Sequence, residues 1–216
     1  MTRDDSETTF TEKRIRMVER QLRGRGITDE RTLAAMAEVP RHRFVPPSLR
    51  RRAYRDGALQ IGEGQTISQP WIVACMAQLL ELRGDETVLE VGTGSGYGAA
   101  VLSRLCAEVI TIERFESLGR RAAAILAELG YDNVEVRVGD GSLGAPDRAP
   151  FGGISVTATA DERPPPALVD QLAEGAALVC PISRGRREQL VRLRGGQEES
   201  VASVRFVPLV SGADDP

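Results

Sequence analysis

From residue 86 onward, short runs rich in β-branched residues alternate with helical stretches. That alternation predicts an α/β fold, a doubly wound and mostly parallel sheet. Two further observations shape it. The first 85 residues carry helical periodicity and a long loop, which predicts an N-terminal helical cap. The last two β-rich runs, separated by a Gly-Gly turn, predict a C-terminal antiparallel strand pair.

The elements follow in order. "TEKRIRMVERQLRGRG" is expected to be a helix ended at Gly24 or Gly26. "ITDERTLAAMAEVP" is a second helix, with Thr28 as its expected cap, Asp29 and Glu30 in its first turn, and Pro40 as its stop. "RHRFVPPSLRRRAYRDGALQIGEGQTISQP" is a linker long enough to be functional or ordered by what it covers. Its "RRR" at 50–52 reads as a solvated helix face. "WIVACMAQLLEL" returns to helical periodicity. The strands are then "ETVLEVG", "AEVITIE", "NVEVRVGD", "GGISVTAT" and "AALVCPI". The intervening helices are "YGAAVLSRLC", "ESLGRRAAAILAELG" (stopped by Gly130) and "PPALVDQLAEG". "EQLVRLRGG" and "SVASVRFVPLV" form the closing pair. Residues 10–85 are assigned to the cap and substrate loop and 86–211 to the sheet, as one compact unit. Residues 1 to about 9 and the terminal "GADDP" are expected to be disordered.

Composition bounds the function. The chain has 216 residues, 41% apolar and 27% charged, with a net charge of −3. That is ordinary for a globular protein and leaves no basic footprint for nucleic acid. Cys75, Cys106 and Cys180 are far apart in apolar text, which argues against a metal site or a disulfide framework and for a reducing cytoplasm. The polar N-terminus lacks a signal-peptide core, and no run approaches a membrane span.

The chemistry concentrates at "EVGTGSGYG". Glycines between a first strand and its helix let the backbone turn tightly against a ligand. Glu113, at the end of the second strand, is placed to accept both hydroxyls of a ribose. Asp140 and Gly141, after the third, are placed to read an adenine edge. Together they mark a nucleoside site. The dinucleotide pattern can be laid on Gly94, Gly96 and Ala99, but Glu90 would repel a pyrophosphate. The same carboxylate would attract a cation.

"ExGxGxG" from Glu90 to Gly96 resembles the S-adenosylmethionine loop of class I methyltransferases. With "GEGQTISQP", "VPRHRFVP", "YDNVEVRVGDG", "APFGGISVTA" and "VRFVPLV", the chain is similar to the protein-L-isoaspartate O-methyltransferase family over roughly residues 12–210. The resemblance implies a Rossmann-like methyltransferase sheet. It implies an S-adenosylmethionine site at Glu90, Gly92, Thr93, Gly94, Ser95, Gly96, Glu113, Arg114, Asp140 and Gly141. It also implies methyl transfer to the α-carboxylate of isoaspartyl residues in damaged proteins. Ser68 is the candidate catalytic residue, orienting the carboxylate, with Thr66, Ile67 and Gln69 as substrate-binding neighbours. A carboxylate with a pKa of about 4 is ionised at neutral pH and needs no general base, so the lone histidine, His42, is read as structural. The chain departs from the family's pattern at Glu63, where a basic residue or histidine is usual, and at Gly152-Gly153, where "PFDAI" loses its Asp. Isoaspartyl proteins are the expected partners of a cytoplasmic monomer. Three readings compete. A simpler reading makes Ser68 the N-cap of the next helix. A non-catalytic S-adenosylmethionine- or peptide-binding module is opposed by the intact loops. Tailoring of a ribosomally made peptide at aspartate, with an added C-terminal domain, competes with repair, which is the expectation.

Overall fold

The computed structural model describes residues 6–185 and 187–212. Helix α1 (Glu7–Met17) is capped by the Ser6 hydroxyl, which accepts from the Thr9 amide. Residues 7–9 are therefore helical, against the expectation of disorder; residues 1–5 and 213–216, where the rest of that expectation falls, lie outside the described residues. The helix continues as a π turn over Val18–Leu22 and a 3₁₀ turn over Arg23–Arg25, and stops at left-handed Gly26. Helix α2 (Glu30–Glu38) is capped by Asp29, not Thr28. Oδ2 of Asp29 accepts from both the amide (2.9 Å) and the hydroxyl (2.5 Å) of Thr32, which satisfies the first turn.

The long linker is ordered. Three-residue and six-residue 3₁₀ turns at Arg41–Arg43 and Pro47–Arg52 lead into a hairpin of β1 (Leu59–Gly62) and β2 (Gln65–Ile67). Helix α3 (Pro70–Leu79) follows. The sheet strands are β3 (Thr87–Val91), β4 (Glu108–Glu113), β5 (Val134–Val138), β6 (Phe151–Val156), the short β7 (Ala160–Asp161), β8 (Leu172–Arg184), β9 (Arg187–Arg194) and β10 (Gln197–Ser203). Helices α4 (Tyr97–Leu102), α5 (Glu116–Glu128) and α6 (Pro166–Val169) connect them.

The sheet order is β10-β9-β8-β6-β3-β4-β5, with β7 beside β8. The strands from β8 to β5 are parallel, while β9 and β10 are antiparallel. The order in which strands are added reverses at β3, with β4 laid down on one side and β6 on the other. Ligands of such sheets bind beyond the carboxyl ends of the strands at that point. Strand alternation splits the core. Val88 and Val109 pack with the helices of the cap, whereas Leu89, Val91, Ile110 and Ile112 join the cluster on the opposite face.

Two elements differ from the sequence reading. "PPALVDQLAEG" makes one helical turn only, because Gln171 folds back onto the Ala145 amide and Leu143 carbonyl and Leu172 pairs with Phe151. "VRFVPLV" leaves the sheet after Ser203. Pro208 cannot donate to a ladder, and residues 204–212 instead cross the strand ends as a strap. The strap is tied by Phe206 N to Glu188 Oε2 (2.9 Å), Leu209 N to the Thr159 carbonyl (2.8 Å) and Gly212 N to Asp140 Oδ2 (2.6 Å). No helix among the described residues is long and apolar enough to cross a membrane.

Candidate active site

The switch point opens into a cleft enclosing about 910 Å³ of non-atom space, open solvent included. Its floor is the loop after β3. At Gly92 the backbone has φ +95°, and a Cβ there would stand 2.3 Å from Thr157 Oγ1. Only glycine allows both the turn and the approach. The Thr157 hydroxyl then donates to the Val91 and Gly92 carbonyls, fixing the loop to the end of β6.

Two carboxylates stand at this floor. Glu113, buried at the end of β4, accepts from the Gly94 amide at Oε2 (2.7 Å) and from the Phe115 amide at Oε1 (3.0 Å). Each oxygen accepts one of these bonds and keeps further acceptor capacity, and Glu113 lines the cleft, which suits a vicinal diol. Glu90 is 2% exposed. Its Oε2 accepts from Thr111 Oγ1 at 2.7 Å, and Thr111 in turn is bonded to the Thr93 hydroxyl. Burial, helped by the neighbouring negative charge of Glu113, pushes the Glu90 carboxyl up to about 8. A carboxyl in that condition favours a cation beside it.

The remaining residues can be placed one by one. Thr93, Gly94, Ser95, Arg114 and Gly141 line the cleft with Glu90, Gly92 and Glu113. Gly96 does not line it; it begins α4 in the left-handed region at φ +86°. Asp140 supports Gly141 from outside the lining, accepting from the Ser142 amide and hydroxyl and from Gly212 N. Burial alone would raise its carboxyl, but the Gly212 and Ser142 donors and the Arg114 charge hold it below the usual range.

Thr66, Ile67 and Ser68 form the facing wall, brought there by β2. Gln69 does not; its side-chain amide donates to Asp56 Oδ1 at 2.6 Å, away from the cleft. The capping role for Ser68 is not realised. Helix α3 starts at Pro70 with Gln69 at the cap position and no side-chain cap bond. The Ser68 hydroxyl takes no hydrogen bond from any described side chain or backbone group and lines the cleft instead. His42 is buried, stacked on Phe10 at 4.1 Å and bonded through Nδ1 to the Tyr54 hydroxyl; burial lowers its pKa.

Sequence reasoning missed Thr157 and the strap residues Val207–Val210, which close the cleft opposite β2. The signal available was Pro208 within an apolar run otherwise read as a strand.

Comparison with known proteins agrees with this geometry. The model of the family "Protein-L-isoaspartate(D-aspartate) O-methyltransferase (PCMT)" matches residues 12–214. A protein-L-isoaspartate O-methyltransferase of Opitutus terrae is 53% identical over 94% of this chain and 88% of its own length. One from Syntrophobacter fumaroxidans is 52% identical over 93% and 95%. A solved protein-L-isoaspartate O-methyltransferase superposes with a TM-score of 0.80 at 29% identity, covering 94% of this chain and 66% of that one. A Plasmodium falciparum structure described as a putative member in complex with S-adenosyl-L-homocysteine, at 24% identity and TM-score 0.80, shares the fold over 92% of this chain and 99% of that one. With the family model spanning nearly the whole length and relatives above half identity, the chain belongs to the protein-L-isoaspartate (D-aspartate) O-methyltransferase family.

Proposed function

We propose that the protein transfers the methyl group of S-adenosylmethionine to the α-carboxylate of L-isoaspartyl residues in damaged proteins and peptides. The observation that carries this reading is one cleft with two chemically distinct walls. Glu90, the Gly92–Ser95 loop and Glu113 form one; the hydroxyls of Thr66 and Ser68 form the other. Family membership supports it.

The first wall fits the cofactor. Glu113 offers acceptors for a diol, Glu90 a counter-charge for a cation, and Gly92 a backbone that a ligand can touch. Bound there, S-adenosylmethionine supplies an electrophilic methyl on a sulfonium. The protein's own part is positioning. Ser68 has a hydroxyl proton free to donate to a carboxylate, and Thr66 stands beside it. The acceptor is already ionised, so no base is required, and no histidine lines the cleft. The β2 wall and the Val207–Val210 strap exclude water, which strengthens the hydrogen bond from Ser68 and weakens carboxylate hydration. Isoaspartyl proteins are the partners, and we read the enzyme as a cytoplasmic monomer.

The test is incubation with methyl-labelled cofactor and an isoaspartyl peptide. The expected product is a base-labile methyl ester. It is lost as the neighbouring amide nitrogen closes a succinimide with release of methanol, and hydrolysis partly regenerates aspartate. An ester stable for days at pH 8 and 37 °C would contradict repair and favour peptide tailoring.

A further inference from the structure

Three strands lay a polar row across the middle of the sheet. Ser155 on β6, Glu90 on β3 and Thr111 on β4 are direct register partners, continued on either side by Val179 and Val136. All three are buried, Ser155 to 4% exposure. Such a row costs free energy unless each group is partnered. Thr111 is: it donates to Glu90 Oε2. Ser155 makes no side-chain hydrogen bond among the described residues, and Glu90 Oε1 accepts none there. Both face a side cavity between α3 and α4, about 320 Å³ of non-atom space with open solvent included. Its walls include Met76 and Leu102, and it shares Ser68 and Thr157 with the cleft. Gly98 makes the room, since a Cβ there would lie 2.2 Å from Glu90 Oε1.

We infer that Ser155 is a positioning residue for Glu90, holding a buried water against its Oε1 so that the carboxylate can meet the cation of the cofactor in charged form. This rests on the function proposed above. A buried water needs two to four polar partners. Ser155 Oγ and Glu90 Oε1 supply two, and Ser68 or Thr157 a third. A water that donates to Oε1 favours the ionised carboxylate, as Thr111 does at Oε2. Of the ionisable groups near Glu90, Glu113 from β4 opposes its ionisation, while Arg114 after β4 and Tyr97 at the start of α4 line the same cleft. The walls contributed by α3, β6, β2 and the strap bring no charged side chain.

The experiment is titration calorimetry of the full chain with S-adenosylmethionine, which carries the cation, at pH 8 with no acceptor peptide present, in buffers of different ionisation enthalpy, which counts protons released on binding. Without a water at Oε1 the Glu90 carboxyl lies near 8, so the wild type, whose water favours the ionised form, should release less than half a proton per site. Ser155→Val removes the hydroxyl and takes up part of the cavity, so the water is lost and release should rise to about half a proton per site. Ser155→Ala should move the same way, and Ser155→Thr, which keeps the hydroxyl, should return to the wild-type count. Glu90→Gln should abolish the release, assigning it to this carboxyl. Equal release from wild type and the Val, Ala and Thr variants overturns the inference alone. No binding by the wild type overturns the functional reading and the inference with it.

Discussion

Glu90 is asked to do two things that oppose each other. It sits in the sheet interior, where the neutral form is favoured, and it faces a cleft where the charged form is useful. Its folded pKa of about 8 lies above the ordinary 4.5. A carboxyl raised in this way contributes its full stability below about 4.5 and loses it as pH climbs through 8. Glu90→Gln, neutral at every pH, should therefore raise the Tm of the ligand-free protein at pH 8 and change it far less at pH 5. The rise should be at least about 2–4 °C, the shift for one kcal/mol in a chain of this size. Thermal scans showing the same difference at both pH values would contradict this. Ser68 tests the other wall. Ser68→Ala should leave cofactor affinity and Tm unaltered, because no cap is lost, while kcat/KM falls about ten- to a hundredfold, the worth of a hydrogen bond to a charged group. A change within twofold would remove Ser68 from the acceptor site.

At the scale of elements, the β1–β2 hairpin brings Thr66, Ile67 and Ser68 to the cofactor loop, and α5 holds it there. Arg121 donates to the Ile61 carbonyl, and Glu63 at the hairpin tip accepts from Ser117 at 2.7 Å. The unusual residue Glu63 is thus a tie to α5. Arg121→Ala should loosen the wall and raise KM for an acceptor peptide about two- to tenfold, in line with one neutral-acceptor hydrogen bond; steady-state kinetics with KM unchanged would argue against the tie. The Gly152 departure also has a local cause. A Cβ there would lie 2.5 Å from the Glu86 side chain, whose carboxylate accepts from the Arg83 and Gly84 amides. Glu86 occupies the space a larger residue would need.

For the whole molecule, the parallel sheet and the cofactor floor were legible because they depend on local text. β-branched runs, glycines at a strand end and carboxylates at Glu90 and Glu113 each carry their own signal. The facing wall was legible only through the quoted resemblance, since "QTIS" alone reads as a cap. The strap was not legible. It depends on long-range bonds to Glu188, Thr159 and Asp140, and Pro208 was the one local hint. Ser155 and Thr157 were hidden for a similar reason: the Ser155 hydroxyl acquires meaning from the neighbouring strand in register, and that of Thr157 from the Val91 and Gly92 carbonyls it meets.

The central claim, that the two walls act together on isoaspartate, is tested most directly by paired peptides of one sequence, carrying isoaspartyl or aspartyl at one position. The measurement is the ratio of their kcat/KM values for methyl transfer from labelled S-adenosylmethionine. The isoaspartyl carboxylate is offset by one methylene, which by itself gives only about 10- to 200-fold discrimination. Misalignment of the aspartyl backbone against Ser68 should add to that, so the expected ratio exceeds about 200. Equal methylation of the two peptides would contradict the account.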